Sequence, residues 1–222
     1  MTGARSLACP LCGDGAAWFV TADAKDYFRC PACGLRFVDP EDRPAPDAEH
    51  GHYLHHENEV DDPGYRAFLS RLADPVLAVV PPGSEGLDYG CGPGPALAAM
   101  LTEAGHRMAV WDPFFASDPR PLARHYDFIT CTEAAEHFHD PAAEFARLDA
   151  MLCPGGVLGV MTCFQTDDSR FAAWHYRKDP THVAFYREET FRWIAERFGW
   201  RMRSPRKDVV LFHKDQGGRR SS

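Results

Sequence analysis

The chain has 222 residues, 45% of them apolar, and a formal charge of −8 at pH 7, a length that holds one large domain and one small one. The acidic balance argues against nonspecific nucleic-acid binding, which relies on clustered lysines and arginines displacing counterions from phosphates. No apolar run approaches a membrane span and residues 1–6 lack the apolar core of a signal peptide, so a soluble, cytoplasmic protein is expected.

Cys9-Pro10-Leu11-Cys12-Gly13 and Cys30-Pro31-Ala32-Cys33-Gly34 repeat one pattern, two thiols spaced by two residues with a glycine behind, separated by seventeen residues. Two such knuckles supply four soft ligands in a tetrahedron, the closed coordination of structural zinc. Disulfides are disfavoured without a secretory signal. So short a segment buries little core, and metal binding, worth on the order of 10–16 kcal/mol in small zinc peptides, would fold it. Asp39 to Asp47 is acidic and proline-rich and reads as a stiff linker, which places a ribbon plus linker at residues 1–45.

His50 to Glu59 is dense in histidine but irregularly spaced, and reads as a solvated polar loop in which Tyr53 and Asn58 could close over a ligand. Pro63 opens a helical pattern through Tyr65, Phe68, Leu69 and Leu72, kinked or restarted at Asp74-Pro75 before Val76, Leu77, Val79 and Val80. Residues 46–80 thus form a helical lid or collar.

The main domain is expected over residues 81–214. Leu87-Asp88-Tyr89-Gly90-Cys91-Gly92-Pro93-Gly94 reads as strand, tight turn and helix start, with helix-period apolar residues from Pro95 to Leu101. Gly90, Gly92 and Gly94 let the backbone approach a ligand at the helix N-terminus. Asp112 closes a second apolar run, Met108 to Trp111, 22 positions after Gly90, where an acid could accept both hydroxyls of a ribose. Two further apolar stretches follow, one in Tyr126 to His137 and one led by Pro154-Gly155-Gly156 and ending at Thr162.

In their order these motifs resemble the class I S-adenosylmethionine-dependent methyltransferases, over roughly residues 84 to 214; a dinucleotide-binding reading lacks the later ones. The resemblance implies an α/β, Rossmann-like sheet with helices on both faces, preceded here by the zinc ribbon. It implies S-adenosylmethionine as cofactor, held by Asp88, Gly90, Cys91, Gly92, Gly94, Asp112, Pro113, Phe114 and Thr132. One departure is visible. Only about fifteen residues, Pro113, Pro119 and Pro121 among them, separate Asp112 from Asp127, so the usual third strand and its helix must be shortened or absent.

Glu133, Glu136 and His137, at the end of the segment that resembles the family's fourth strand, would share one face if a helix begins there, and His182 follows between Pro154 to Thr162, which resembles the family's fifth strand, and the last long helix. Glu-x-x-Glu-His with a distant His resembles the small-RNA 3′-terminal ribose methyltransferases, where two glutamates and two histidines bind a divalent ion, and quinone-biosynthesis O-methyltransferases share the first piece. The resemblance implies a second metal at Glu133, Glu136, His137 and His182; equally, these residues shape the acceptor pocket, with a neutral histidine as general base. Trp174, His175 and Tyr176 form an aromatic patch that lines the acceptor pocket or packs in the core. Cys91, Cys131, Cys153 and Cys163 read as small buried apolar residues.

Glu188 to Phe198 has helix-spaced Phe191, Ile194, Ala195 and Phe198 with Gly199 as stop, and Val209 to Phe212 suits a final strand. Arg201, Arg203, Arg206 and Lys207 form a modest basic cluster, read as solvated, and residues 215–222 a disordered tail. The leading expectation is methyl transfer to a hydroxyl or similar nucleophile of a small metabolite. The alternatives are an RNA methyltransferase that uses its ribbon for recognition, similar in architecture to certain ribosomal RNA base methylases, and a noncatalytic ribbon-bearing interaction protein.

Overall fold

The structure is a computed structural model that describes residues 5–53 and 59–216. The expected tail falls outside the described residues from position 217 on, and so do residues 54–58 of the histidine-rich segment, Asn58 included.

Four short strands, β1 (Ser6–Ala8), β2 (Gly15–Ala22), β3 (Lys25–Arg29) and β4 (Arg36–Val38), form an antiparallel meander. The main sheet is built from β5 (Glu85–Tyr89), β6 (Arg107–Trp111), β7 (Tyr126–Thr132), β8 (Leu152–Met161), β10 (Trp200–Arg206) and β11 (Val209–Lys214), in the order β10-β11-β8-β7-β5-β6. Strands β6, β5, β7 and β8 are mutually parallel, while at one edge β11 runs antiparallel to β8 and β10 antiparallel to β11. Chain order reverses at β5, whose neighbours are β6 on one side and β7 on the other. Ligands of open α/β sheets bind at such a switch point, beyond the carboxyl ends of the strands.

Alternation along the strands distributes side chains to two cores. From β8 and β11, Val157, Met161, Val209 and Leu211 pack under α2 (Pro63–Leu77) and α3 (Ala96–Glu103), with Leu72 and Leu101 fully buried there. Their alternates Leu158, Val160, Val210 and Phe212 pack under α4 (Pro141–Met151) and α5 (Glu188–Phe198), against Phe145, Leu148, Phe191 and Ile194. Helix α2 runs through Pro75 to Leu77 without restarting. Helix α5 stops at Gly199, left-handed with φ of 69°, as its sequence suggests.

Three features were not apparent from the sequence. The segment expected as a linker is folded: Asp39 caps a helical turn at Pro40–Asp42, and Pro46 opens α1 (Pro46–Tyr53). Each proline stands in a first turn, where no backbone N–H is needed. Strand β10 carries Arg201, Arg203 and Arg206 on an exposed edge, and its charges hid the strand. Lastly, β9 (Ala184–Phe185), from the segment between β8 and α5, pairs with β4 and becomes the fifth strand of the N-terminal sheet. Cys9, Leu11, Phe28 and Phe37 accordingly belong to the same apolar core as α4 and α5. Between Asp112 and Tyr126 the chain makes a single bridge, Asp112 to Ala116, and a helical turn at Arg120–Ala123 in place of a third strand and helix.

Candidate active site

A cavity of about 770 Å³ lies beyond the carboxyl ends of β5, β6 and β7. Asp88, Gly90, Cys91, Gly92, Gly94, Asp112, Pro113, Phe114, Thr132, Glu133, Glu136, His137 and His182, all singled out from the sequence, line it. Tyr65 and Phe68 of α2 and Glu49 and Tyr53 of α1 complete its wall.

The glycine turn after β5 is tightly determined. Gly90 and Gly92 are left-handed, with φ of 75° and 64°, and a Cβ on Gly90 would lie 2.6 Å from that of Ala134. The amides of Gly90 and Cys91 both donate to the Trp111 carbonyl, at 2.8 and 3.2 Å, which ties the turn to the end of β6. Asp112 fixes both this turn and its own loop: Oδ2 accepts from the Gly92 amide at 3.0 Å, and Oδ1 from the amides of Phe114 and Phe115 at 2.9 and 3.0 Å. Asp88 is buried, accepts from Thr130 Oγ1 at 2.8 Å, and is pushed up to about 6 by burial. Burial likewise raises the Cys91 thiol to about 12, so it is no nucleophile at neutral pH. Thr132 Oγ1 has no protein partner although it is buried.

Across the cavity the fold assembles a second group. Glu133 is left-handed, with φ of 46°, a conformation that costs a non-glycine residue about 1–2 kcal/mol. It therefore opens no helix; only a single helical turn comes after it, at Ala135–His137. Even so, ligating atoms of Glu136, His137 and His182 all lie within 4.8 Å of one another. Glu133 stands outside this set and joins it through Tyr176, whose phenol oxygen lies within hydrogen-bond distance of both Glu133 Oε2, at 3.1 Å, and Glu136 Oε1, with one proton to donate between them.

The histidine rings are oriented by main chain. His137 Nδ1 donates to the Thr181 carbonyl at 3.0 Å and His182 Nδ1 to that of Tyr176 at 2.7 Å, leaving both Nε2 lone pairs free to accept. Burial lowers both histidines, His182 to about 4 with the neighbouring His137 adding to the effect, so both are neutral at pH 7. Glu136 is fully buried, and its Oε2 lacks a hydrogen-bond partner. Burial pushes Glu133 and Glu136 up, and the charge of Glu136 adds to the effect on Glu133. Two oriented imidazoles and a carboxylate with a spare oxygen are suited to a divalent cation, since metal-bound histidines characteristically donate their second nitrogen to a carbonyl or carboxylate. From the sequence Tyr176 belongs to an aromatic patch with Trp174 and His175, but nothing in its spacing ties it to the glutamates; only the fold brings it between them.

The four N-terminal cysteines also converge. Their sulfurs lie within 4.8 Å of one another, with Cys9 and Cys33 at 3.5 Å and Cys12 and Cys30 at 3.4 Å. These separations are too long for disulfides and near the edge of a tetrahedron with Zn–S bonds of about 2.3 Å. Each knuckle closes through its glycine: Gly13 donates to Cys9 and Gly34 to Cys30, at 2.9 and 3.1 Å. The donor set is compatible with a zinc ribbon.

Residues 52–204 match the family described as Methyltransferase domain. The chain belongs to this family, and its enzyme class is that of the S-adenosylmethionine-dependent methyltransferases. Among solved structures, it resembles a chain from the complex between the Haloferax volcanii Trm112 methyltransferase activator and a methyltransferase, at 15% identity and a TM-score of 0.55 over 78% of this chain and 100% of that one. It also resembles Burkholderia thailandensis 1,6-didemethyltoxoflavin-N1-methyltransferase with its acceptor and S-adenosylhomocysteine bound, at 15% identity and a TM-score of 0.54 over 88% and 98% of the two chains. A third is the Synechocystis magnesium protoporphyrin IX methyltransferase with S-adenosylhomocysteine, at 16% identity and a TM-score of 0.52 over 76% and 94%. At these identities the likeness is one of fold. No curated protein sequence matches the chain. Among the described residues, no helix is long and apolar enough to cross a membrane.

Proposed function

We propose that this methyltransferase acts on a hydroxyl or similar nucleophile of a small molecule, with a divalent cation held by Glu136, His137 and His182. The observation that carries the reading is the convergence of two carbonyl-oriented imidazoles and the spare oxygen of a buried carboxylate on the wall of the cavity. A cation there would act as a Lewis acid that orients an acceptor hydroxyl and lowers its pKa.

The remaining contributions come from the chain. Gly90 and Gly92 keep the turn open to the donor. Asp112, with three of its lone pairs on backbone amides, retains room for a ribose hydroxyl, and the Thr132 hydroxyl needs a partner that a bound donor would supply. S-adenosylmethionine brings an already activated methyl group, so the site has chiefly to align the partners, an effect worth roughly 7–11 kcal/mol. Tyr53 packs against Phe114 and His137, with ring centroids 5.5 and 5.3 Å away, and so links the donor and acceptor halves and shields them from water. Cys9, Cys12, Cys30 and Cys33 would hold the structural zinc.

Charge on the cavity wall favours a small neutral acceptor over RNA. Glu49, Asp140, Glu144 and Asp179 face it, whereas Arg147 is the one lysine or arginine among the described lining residues. A phosphodiester chain would be repelled. The test uses zinc-loaded protein, calorimetry with S-adenosylhomocysteine and with Mn²⁺, and radiolabelled methyl transfer to a panel of catechols, other neutral phenols and short RNAs. We expect one S-adenosylhomocysteine site, one Mn²⁺ site abolished by His137→Ala or His182→Ala, and methylation confined to the small hydroxyl compounds. Mn²⁺ binding that survives both substitutions would remove the cation from the scheme, and methylation of the RNAs alone would favour the ribbon-guided reading.

A further inference from the structure

We infer that the N-terminal ribbon is the positioning scaffold of the acceptor half of the site, and that it acts through Arg177. The inference rests on the reading of Glu136, His137 and His182 as the acceptor-side group.

Tyr176, Asp179 and His182 all come from residues 168–185, between β8 and α5, a segment with two helical turns and the two-residue strand β9. A stretch this poor in regular structure has few internal bonds to hold a site. Its support comes from the ribbon, more than 130 residues away in sequence. The Arg36 guanidinium, 2% exposed, forks onto Asp168 at 2.7 and 2.9 Å. Lys25 Nζ donates to the Pro180 carbonyl at 3.1 Å, and the Val38 amide to the Val183 carbonyl at 2.9 Å.

Arg177 is the centre of this attachment. Its side chain is also 2% exposed and points into the ribbon: Nη1 donates to the Tyr27 phenol at 3.1 Å, and Nη2 to Asp23 Oδ2 at 2.6 Å and the Ala172 carbonyl at 2.7 Å. The guanidinium also lies over the Tyr27 ring, 5.4 Å from its centroid. The preceding residue, Tyr176, presents its phenol to both glutamates, its carbonyl to His182 Nδ1, and its ring against the His182 ring at 4.2 Å. The Val183 amide in turn donates to the Glu136 carbonyl at 2.8 Å. A continuous set of bonds thus runs from β3 and the turn before it through Arg177 to Tyr176, and on to Glu136 and His182. This ribbon face is occupied by the chain's own residues 168–185. Arg36 and Arg177 are positioning residues: they touch neither the cavity nor its ligands.

The experiment compares zinc-loaded wild type with Arg177→Gln, Arg177→Lys, Tyr27→Phe and Tyr176→Phe. It reads zinc content, S-adenosylhomocysteine affinity, Mn²⁺ affinity and hydrogen exchange of the Val183 amide. Arg177→Gln should keep one zinc per chain and S-adenosylhomocysteine affinity within about twofold, while Val183 exchange accelerates and Mn²⁺ affinity drops, each at least tenfold. Arg177→Lys, which keeps one cationic donor, should recover part of both losses. Tyr176→Phe leaves the ribbon contacts intact, so Mn²⁺ affinity should fall with Val183 exchange unchanged, as no purely structural role would predict. Unchanged exchange and Mn²⁺ affinity in Arg177→Gln would overturn the inference. Should that variant lose S-adenosylhomocysteine binding through misfolding, Tyr27→Phe decides by the same two readouts. A wild type that binds S-adenosylhomocysteine but no Mn²⁺ would refute the cation reading of the function, and Val183 exchange alone would then decide the role of the ribbon.

Discussion

Gly90→Ala tests the geometry of the proposed donor site. At φ of 75° an alanine is left-handed, which costs about 1–2 kcal/mol. Its Cβ would also sit 2.6 Å from that of Ala134, and forcing an extra methyl into a packed site costs about 1–3 kcal/mol. The sum is about 2–5 kcal/mol, and at about 2–4 °C per kcal/mol for a domain of this size the melting temperature should drop by roughly 4–20 °C. The turn relieves the overlap by moving away from Ala134, which breaks the bond from Gly92 to Asp112. S-adenosylhomocysteine affinity should therefore fall more than tenfold with zinc content unchanged. Ala134→Gly removes only the steric part, so in the Gly90→Ala background it should restore about 1–3 kcal/mol and leave the dihedral part in place. Thermal unfolding and calorimetry on the two single variants and the double read both quantities. The reasoning is refuted if Gly90→Ala is silent in both assays, or if Ala134→Gly gives no recovery beyond its effect in wild type.

Asp88 gives a pH dependence of definite sign. Burial raises its carboxyl from 3.8 to about 6, so its contribution to stability is full below about pH 4 and lost as pH rises through 6, a swing of about 3 kcal/mol. Asp88→Asn, which can still accept from Thr130, should raise the melting temperature of the ligand-free protein at pH 8 and leave it nearly unchanged at pH 4; an equal shift at both would contradict this. Cys12→Ser, or stripping with a strong zinc chelator, should abolish zinc binding and expose ribbon amides such as Cys30 and Val38 to hydrogen exchange, whereas a ribbon that stays protected would not depend on metal. Leu72→Ala, at a fully buried position between α2 and β8, should cost about 2–5 kcal/mol without altering zinc content, and a loss below about 1 kcal/mol in denaturant titration would mean the helix packs more loosely than described.

Local patterns made much of this protein readable in advance. The glycine turn after Asp88 announces itself because left-handed backbone admits few other residues, and the cysteine knuckles because thiolate coordination needs close pairs at fixed spacing. Helix α5 with Gly199 was legible from the period of its apolar residues and β11 from its short apolar run, while β7 and β8 were expected from the resemblance to a known family. Even the loss of the third strand was visible as a shortage of residues. What sequence could not reveal is whatever depends on segments far apart in the chain. Strand β9 is two residues long and carries no periodicity of its own; it exists because β4 offers it an unpaired edge. Tyr176 matters because the left-handed turn at Glu133 and the anchoring of Arg177 in the ribbon bring its phenol between two glutamates. Residue types and their spacing, through the family motifs they match, thus pointed to the enzyme class and the candidate ligands. Tertiary structure decided that Glu136, His137 and His182 meet and that the ribbon belongs to the same core as the catalytic domain, because such contacts arise only from how distant segments pack.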